Sequence, residues 1–432
     1  MVPIEEIYER YLTCSGIITD TRKAEKNQMF FALKGDNFNG NEYALEALSK
    51  GCAWVVVDEK KYCKDDRFLL VKDVLQALQS LASYHRNKLD IPVIAITGTN
   101  GKTTTKELVD RVLQKKYVTH ATKGNLNNHI GVPITLLGMT KNTEIAIVEM
   151  GANHIGEIEF LCNIALPNYG IITNIGKAHL EGFGSFEGVI KAKTELYKYI
   201  ESKGNFLFVN NDNQLLMELS GECKKKTYGS ISSAHIKGRL VSEFPTLLFE
   251  FSDSKNSSPI ECKTKIIGAH NFENIMAAIA IGFEFGVVSK DISIAVGMYE
   301  SENNRSQLIQ TEHNKIVLDA YNANPMNMKA SIESFAKMDG KNKLVILGDM
   351  LELGQYAEEE HRLILEHLKE NQLSNVMLVG DHFSAIKEYV ECTHFKNASE
   401  AASWIQLNPI KDTLVLIKGS RGVGLEVLVA KM

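Results

Sequence analysis

Residues 94–105 read IAITGTNGKTTT and give the clearest indication of the fold in the whole sequence. A short apolar run comes first, then a turn that contains two glycines, then a segment with helical spacing from about Lys102 onward. Glycines allow backbone N–H groups to close around phosphate oxygens, and the N-terminus of the following helix adds partial positive charge. The order of strand, glycine turn and helix therefore predicts a phosphate-binding loop on a parallel sheet.

The loop is a variant of the P-loop, whose full pattern places a glycine five residues before Gly101. Ile96 stands at that position, and Gly98 supplies the turn instead. We expect Lys102 to reach the β- and γ-phosphates of a nucleoside triphosphate and the hydroxyl of Thr103 to bind Mg²⁺. The alternative is an ordinary glycine turn with Lys102 in water, but the complete order of elements favours a triphosphate site.

Short apolar runs alternate with longer segments of helical period through most of the chain, which is typical of βαβ units around a parallel sheet. The predicted class is therefore α/β. Residues 230–258 differ, because alternating apolar and polar positions there predict antiparallel hairpins attached to the parallel sheet. Buried strands are predicted at residues 93–97, 145–150, 169–174, 206–210, 316–319, 344–348, 376–380 and 414–418.

Two polar breaks divide the chain into three predicted domains. Residues 87–92 follow a periodic helix at 74–86, and residues 300–306 follow an apolar helix at 271–285. The length of 432 residues also suits about three domains of roughly 150 residues. The predicted boundaries are 1–90, 91–302 and 303–432.

Composition excludes several classes of protein. Lys and Arg number 48 and Asp and Glu 53, so the net charge is −5, which argues against general binding to nucleic acid or to an anionic membrane. The N-terminus lacks the pattern of a signal peptide, and no stretch approaches the ~18 apolar residues that a membrane span needs. Seven scattered cysteines without a C-x-x-C pair disfavour a disulfide framework and a zinc site. We therefore expect a folded, cytosolic protein with reduced thiols.

Three residues with chemically active side chains follow or flank the neighbouring predicted strands. Glu149 ends the strand that begins at residue 145, and an acidic group beside a P-loop is a natural Mg²⁺ ligand. His179 lies in the loop after the next strand, where a histidine taken alone is more often structural than a ligand. Lys193 lies in a helical segment and, taken alone, would be interpreted as a surface lysine.

These motifs occur in the order seen in the Mur ligases of peptidoglycan synthesis, which the chain resembles over nearly its whole length. The segments are GTNGKTT at 98–104, GNLNN at 124–128, EMG at 149–151, the His179 loop, the Lys193 segment and GAHNFEN at 268–274. Within the family, DAYNANP at 319–325, LGDMLELG at 347–354 and KGSR at 418–421 look like the member that adds D-alanyl-D-alanine to UDP-N-acetylmuramoyl-tripeptide. The Asp-Asn-Pro-Arg signature of the member that adds the third residue is not found in the sequence.

The resemblance implies an ATP-dependent amide ligation through an acyl-phosphate, with two Mg²⁺ ions and a carbamylated Lys193. The implied catalytic residues are Lys102, Lys193, His179 and Glu149, and the implied metal ligands are Thr103, Glu149, His179 and Lys193. The implied ATP contacts are Gly98, Thr99, Asn100, Gly101, Lys102, Thr103, Thr104, Asn271, Asn274, Arg305 and Asp319. The implied contacts to the other substrates are Thr21, Arg22, Asn125, Asn128, Tyr321, Asn322 and Asn324.

The three domains acquire expected roles from the same resemblance. TDTR at 19–22 and MFFALKG at 29–35 resemble a uridine-nucleotide domain, although NGNEY at 39–43 stands where an Asp-Gly-His-Asp-Phe-like segment is common. The central domain would be the P-loop ATPase core, and the C-terminal domain a Rossmann-like lid that closes over ATP on the D-alanyl-D-alanine side. We expect a monomer that binds small-molecule substrates and has no nucleic-acid partner and no membrane span.

Three alternatives stay open from the sequence. A folylpolyglutamate synthetase shares the P-loop and the ligation chemistry, a P-loop switch protein would bind nucleotide to control a partner, and a scaffold would keep the fold without activity. The motifs also do not specify whether the accepted tripeptide ends in meso-diaminopimelate or in L-lysine.

Overall fold

The N-terminal part of the chain is a small α/β unit in the computed structural model, which describes residues 1–253, 258–301 and 304–432. Its elements are α1 (Ile4–Tyr11), β1 (Ile17–Ile18), β2 (Met29–Phe31), β3 (Lys34–Gly35), β4 (Phe38–Asn39), α2 (Ala44–Ser49), β5 (Trp54–Val57), β6 (Phe68–Leu70) and α3 (Val74–Lys88). A parallel sheet has the strand order β1-β2-β5-β6, and β3 pairs with β4 as a separate antiparallel hairpin.

Helix α3 joins this unit to the rest of the molecule. Asp73 caps its N-terminus, because the side chain accepts a hydrogen bond from the Gln76 N–H at 2.7 Å. Leu78, Leu81 and Ala82 recur at helical spacing on its buried face and belong to the same apolar core as residues of the central sheet.

The central part carries the glycine loop. Its elements are β7 (Val93–Thr97), α4 (Lys102–Leu113), β8 (Thr119–Ala121), α5 (Gly131–Leu137), β9 (Ile145–Glu149), α6 (Glu157–Ala165), β10 (Tyr169–Ile172), α7 (Leu180–Phe183), α8 (Phe186–Ser202), β11 (Phe206–Asn210), α9 (Gln214–Leu219), β12 (Lys225–Gly229), β13 (Ile236–Ser242), β14 (Leu248–Asp253), β15 (Ile260–Lys263), α10 (Asn271–Glu284) and α11 (Ser289–Met298).

A nine-stranded sheet organises this part, in the order β15-β14-β13-β12-β11-β10-β7-β9-β8. Strands β7 to β13 pair in parallel with one another, whereas β14 pairs antiparallel with both β13 and β15. Strand β7 is buried throughout, and its side chains alternate between two cores. Val93 and Ala95 face the core that includes α3 and α8, while Ile94 and Ile96 face the core with α4 and α10. Helices therefore cover both faces of the strand, as a parallel sheet requires.

The C-terminal part contains its own six-stranded sheet and the helices that pack on it. Its elements are β16 (Gln307–Gln310), β17 (Lys315–Asp319), α12 (Pro325–Lys337), β18 (Lys343–Gly348), α13 (Ala357–Glu370), β19 (Val376–Val379), α14 (Asp381–Ile386), β20 (Thr393–Phe395), α15 (Ala398–Leu407) and β21 (Leu414–Lys418). The strand order is β16-β17-β21-β18-β19-β20, and β16 alone pairs antiparallel.

The α/β class and the hairpins attached to the parallel sheet are confirmed, and residues 254–257 of the predicted hairpin region lie outside the described residues. Three predicted strands were too long, because β9, β10 and β19 end at Glu149, Ile172 and Val379. The backbone N–H groups of Met150, Thr173 and Gly380 still donate to the neighbouring strands, whereas Asn174 pairs with Asn100 of the glycine loop.

The predicted domain boundaries remain predictions. The one at residue 90 falls between α3 and β7, and the one at residues 302 and 303 lies outside the described residues. Across the described part of the chain, no helix is long and apolar enough to cross a membrane. All seven cysteines are free thiols, and Cys52, Cys162, Cys223 and Cys262 are buried.

Candidate active site

The glycine loop follows β7 and has a conformation that needs its two glycines. Gly98 has φ +143° and Gly101 has φ +78°, both in the left-handed region that L side chains rarely adopt. A Cβ at Gly98 would collide with the Thr173 hydroxyl, and one at Gly101 would collide with the Asn274 amide. The loop is therefore fixed by close approach of its neighbours as well as by its backbone angles.

Lys102 lies over the loop that it follows. Its Nζ donates hydrogen bonds to the carbonyl oxygens of Gly98 at 2.8 Å and Thr99 at 3.1 Å. Burial lowers the pKa of Lys102, while the carboxylate of Glu149 opposes that shift. Thr103, at the start of α4, is buried beside it. A cation and the N–H groups of a helix start thus converge at the end of β7.

The end of the neighbouring strand β10 holds the loop in place. The Asn100 N–H donates to Asn174 Oδ1 at 2.9 Å, and the Asn100 carbonyl accepts from Asn174 Nδ2 at 3.1 Å and from the Thr173 hydroxyl at 2.6 Å. Sequence reasoning missed Asn174, although a polar residue directly after an apolar run was a usable signal.

Glu149 brings a carboxylate to the same edge of the sheet. Its side chain is only 2% exposed, and its Oε1 accepts a hydrogen bond from Asn127 Nδ2 at 2.8 Å. Its Oε2 is buried and has no hydrogen-bond partner among the described residues. A buried carboxylate oxygen without a partner is costly, so this position suits a bound cation.

Lys193 is not the surface lysine that the helical pattern alone suggests. It lies on α8 and is 2% exposed, with its Nζ 3.4 Å from the carbonyl oxygen of Ala152. Its ammonium is also 5.4 Å from the centre of the Phe183 ring. Burial, together with the charge of Lys102, lowers the pKa of Lys193 to about 7. A large share of its amine is therefore uncharged at neutral pH.

His179 connects the central part to the C-terminal part. Its Nδ1 pairs with the carboxylate of Glu352, which lies in the loop after β18. Both residues have positive φ, +50° and +63°, so both loops hold uncommon backbone conformations at this contact. Lys177 adds a second link, since its Nζ lies 2.8 Å from Glu360 Oε1. Glu352 belongs to the LGDMLELG segment, but sequence reasoning gave it no role.

A third link joins the glycine loop itself to the C-terminal part. Asn324 Nδ2 donates to Asn100 Oδ1 at 2.7 Å, and Asn100 Nδ2 donates back to Asn324 Oδ1 at 3.3 Å. Asn327 Nδ2 donates to the same Asn100 oxygen at 3.1 Å. Asn324 also caps α12 in a capping box with Asn327. The start of α12 is thereby attached to the loop.

The remaining predicted residues of the C-terminal part surround this contact. Arg305 lies with its guanidinium carbon 3.7 Å from the centre of the Tyr321 ring. Asp319 ends β17, and its Oδ2 accepts from the fully buried Lys418 at 2.5 Å and from the Ser331 hydroxyl at 3.0 Å. Lys418 belongs to the KGSR segment, and no pattern in the sequence indicates that its side chain is buried.

One cleft of about 1080 Å³ is lined by residues of the central and C-terminal parts. The sequence-predicted residues that line it are Thr99, Asn100, Gly101, Lys102, Thr103, Thr104, Asn125, Asn128, Glu149, His179, Asn271, Asn274, Arg305, Asp319, Tyr321 and Asn322. Gly98, Lys193 and Asn324 do not line it but contact the loops that do.

Thr21 and Arg22, in the N-terminal part, neither line the cleft nor form a side-chain hydrogen bond to a residue that does, among the described residues. Arg22 forms a two-point pair with Asp20, with Nε to Oδ1 at 2.9 Å and Nη2 to Oδ2 at 2.8 Å. The carbonyl oxygen of the buried Thr21 accepts from Lys50 Nζ at 3.0 Å. Their predicted contacts to a substrate stay predictions.

The arrangement matches known proteins over nearly the full chain. Residues 96–282 match the family model of the Mur ligase middle domain, and residues 304–421 match that of the Mur ligase, glutamate ligase domain. The UDP-N-acetylmuramoyl-tripeptide--D-alanyl-D-alanine ligase of Bacillus subtilis (strain 168) is 36% identical over 426 residues, which cover 96% of this chain and 92% of the relative. The chain belongs to the Mur ligase family.

Solved structures support the same assignment for this Mur ligase. A crystal structure of MurF from Acinetobacter baumannii superposes with a TM-score of 0.85 at 31% identity, covering 96% of this chain and 92% of that one. MurF ligase from Thermotoga maritima in complex with ADP gives a TM-score of 0.86 at 26% identity, covering 98% and 97%. The predicted family and the three-domain α/β architecture are confirmed.

Proposed function

We propose that this Mur ligase joins D-alanyl-D-alanine to UDP-N-acetylmuramoyl-tripeptide in peptidoglycan synthesis. ATP phosphorylates the terminal carboxylate of the tripeptide, and the dipeptide amine attacks the acyl-phosphate to give UDP-N-acetylmuramoyl-pentapeptide, ADP and phosphate. The observation that carries the proposal is the full-length similarity to ligases of this name, which includes both the glycine loop and the C-terminal segments around Tyr321.

The roles of the cleft residues follow from the negative charges of the two molecules that react first. A carboxylate and a triphosphate repel each other, so the first step depends on positioning and on neutralisation of negative charge. The backbone N–H groups of residues 98–104 and the Lys102 ammonium supply positive charge at the end of β7. The links of Asn324 to Asn100 and of Glu352 to His179 bring the C-terminal part over the loop, which excludes water from an acyl-phosphate that hydrolyses readily.

The donor set also fits divalent metal ions, in line with the two Mg²⁺ expected for the family. Glu149 offers a buried oxygen without a partner, the Thr103 hydroxyl lies at the start of α4, and His179 lines the same cleft. When bound, Mg²⁺ would neutralise charge on the triphosphate and on the transferred phosphoryl group. The described residues contain no group of three or more His, Cys, Asp and Glu that could hold a metal. A carbamate on Lys193 would add a carboxylate-like group to this donor set.

The surroundings of Lys193 support its carbamylation. The uncharged amine adds to CO₂ and loses a proton, so the reaction needs a lysine that is neutral near pH 7. Its pKa of about 7 satisfies this need, and the product is a carboxylate-like group in place of a cation. Lys193→Ala should lose most activity and regain part of it with added short carboxylic acids. Lys191→Ala is the matched control, because Lys191 is exposed on the same helix. A fully active Lys193→Ala enzyme would contradict the carbamate.

An assay of phosphate release tests the function as a whole. Release should require D-alanyl-D-alanine and UDP-N-acetylmuramoyl-tripeptide together, and supplying tripeptides that end in meso-diaminopimelate or L-lysine separately would identify the substrate. Lys102→Ala should abolish acyl-phosphate formation while uridine-nucleotide binding stays nearly intact. Phosphate release that does not depend on either substrate would support a nucleotide switch. Phosphate release with a folate in place of the tripeptide would support folylpolyglutamate synthesis. Similarity to the UDP-N-acetylmuramoyl-tripeptide--D-alanyl-D-alanine ligases disfavours both alternatives.

The cytosolic location and the monomeric state are part of the same proposal. Both substrates and ATP are small polar molecules of the kind found in the cytosol. Sedimentation at micromolar concentration would test the monomer.

A further inference from the structure

Two arginines lie against one tyrosine on the C-terminal side of the cleft. The guanidinium carbons of Arg305 and Arg421 are 3.7 and 5.2 Å from the centre of the Tyr321 ring. Arg421 Nη1 also donates to the Tyr321 hydroxyl at 3.4 Å. All three side chains line the cleft, and Arg421 is exposed there. A ring face and a hydroxyl group therefore restrict the conformations of a guanidinium that faces the ligand space.

The charge of Arg421 is free for a ligand. Among the described residues, no Asp or Glu oxygen lies within 4.0 Å of its guanidinium, whereas Lys418, three residues earlier, is paired with Asp319 at 2.5 Å. Arg305 places a second positive charge on the same ring. Two cations on one aromatic ring favour an anionic ligand.

The place of Arg421 in the fold relates it to the incoming dipeptide. Strands β17 and β21 are neighbours, so Tyr321 and Arg421 follow adjacent strand ends in the same sheet. The segment that contains Tyr321 continues to Asn324, whose amide contacts the glycine loop. Arg421 thus lies on the C-terminal side of the cleft, whereas Lys102 and the N–H groups of the glycine loop lie on the central side.

We propose that Arg421 binds the free carboxylate of D-alanyl-D-alanine and so selects a dipeptide with an unblocked C-terminus. This inference rests on the proposed function. The dipeptide amine must be uncharged when it attacks, so the carboxylate at the other end is the one formal charge left for recognition. Two extended residues span roughly 7 Å, which separates this contact from the reacting carbonyl. The planar guanidinium matches a carboxylate through two parallel hydrogen bonds.

Arg421 is accordingly a specificity residue, and its loss should affect the KM for the dipeptide more than kcat. The test compares D-alanyl-D-alanine with D-alanyl-D-alaninamide, which lacks the carboxylate charge, in the full-length enzyme. The wild-type enzyme should prefer the carboxylate form by about 10- to 100-fold in kcat/KM, the range expected for hydrogen bonds to a charged group. Arg421→Gln should lose that preference, while the KM values for ATP and the tripeptide nucleotide change less than twofold.

Two further variants serve as a conservative substitution and a control. Arg421→Lys keeps the positive charge but loses the planar guanidinium that can form two parallel hydrogen bonds, so it should give an intermediate preference. Arg362→Gln is the control, because Arg362 pairs with Glu366 on the exposed side of α13 and should keep the wild-type preference. An Arg421→Gln enzyme with the full preference, or with an equal rise in KM for ATP, would overturn the inference. Absence of ligation by the wild-type enzyme would instead overturn the proposed function.

Discussion

Replacing Asn324 with alanine tests how the C-terminal part is held against the glycine loop. Asn324 caps α12, since its Oδ1 accepts from the Asn327 N–H at 3.0 Å, and its amide also exchanges two hydrogen bonds with Asn100. Asn397 caps α15 in the same way, accepting from the Glu400 N–H at 3.0 Å, but its hydrogen bonds stay within its own helix. Asn397→Ala is therefore the matched control for the cap alone.

The loss of the helix cap and the loss of the contact with Asn100 affect different measured quantities. Loss of either cap should cost about 1 kcal/mol of stability, which corresponds to a fall in Tm of roughly 3–5 °C for a unit of this size. Only Asn324→Ala also loses the two amide hydrogen bonds at 2.7 and 3.3 Å. At about 0.5–1.5 kcal/mol each, they shift the balance between docked and undocked C-terminal part by about 5- to 150-fold.

The assay is kcat/KM for ATP at saturating concentrations of the other two substrates, with Tm measured on the same preparations. Asn324→Ala should fall well below Asn397→Ala in kcat/KM, although both lose similar stability. A double-mutant cycle with Asn100→Ala should give a coupling energy of about 1 kcal/mol. Equal activities of Asn324→Ala and Asn397→Ala, or costs that add without coupling, would refute the argument that this contact forms during turnover.

Three further predictions concern single positions. Gly101→Ala should raise the Kd for ADP at least tenfold, because a side chain at φ +78° costs about 1–2 kcal/mol and collides with Asn274. Isothermal titration with ADP measures this Kd. Burial lowers the pKa of His85, so the unfolded chain binds the proton first and stability falls as pH drops below about 6.5. The fall in Tm between pH 7 and 5 should be shallower in His85→Gln, and an unchanged slope would exclude this histidine as the cause. Lys418→Met should cost about 3–5 kcal/mol in urea unfolding, because it leaves the Asp319 carboxylate unpaired, and a second change of Asp319→Asn should recover part of that loss.

The glycine loop shows what sequence predicts well. The order of apolar run, glycine turn and helix lies within twelve residues, so local backbone preferences and periodicity were enough to place β7 and α4. The same local rules predicted the hairpins of β13 to β15 from their alternation. They overran the ends of β9, β10 and β19 by one or two residues, because the point where a ladder stops depends on a partner strand that is distant in sequence.

The α/β class, the phosphate loop and, through the motifs, the family follow from the sequence alone. Which polar side chains act together becomes visible once the elements are packed in three dimensions. Lys191 and Lys193 are two residues apart on one helix, yet one is exposed and the other is buried beside Ala152. The pairs Asn100 with Asn324 and His179 with Glu352 join residues more than 170 positions apart. Burial and ion pairing depend on which elements pack together, and periodicity, which describes one element at a time, carries no information about that.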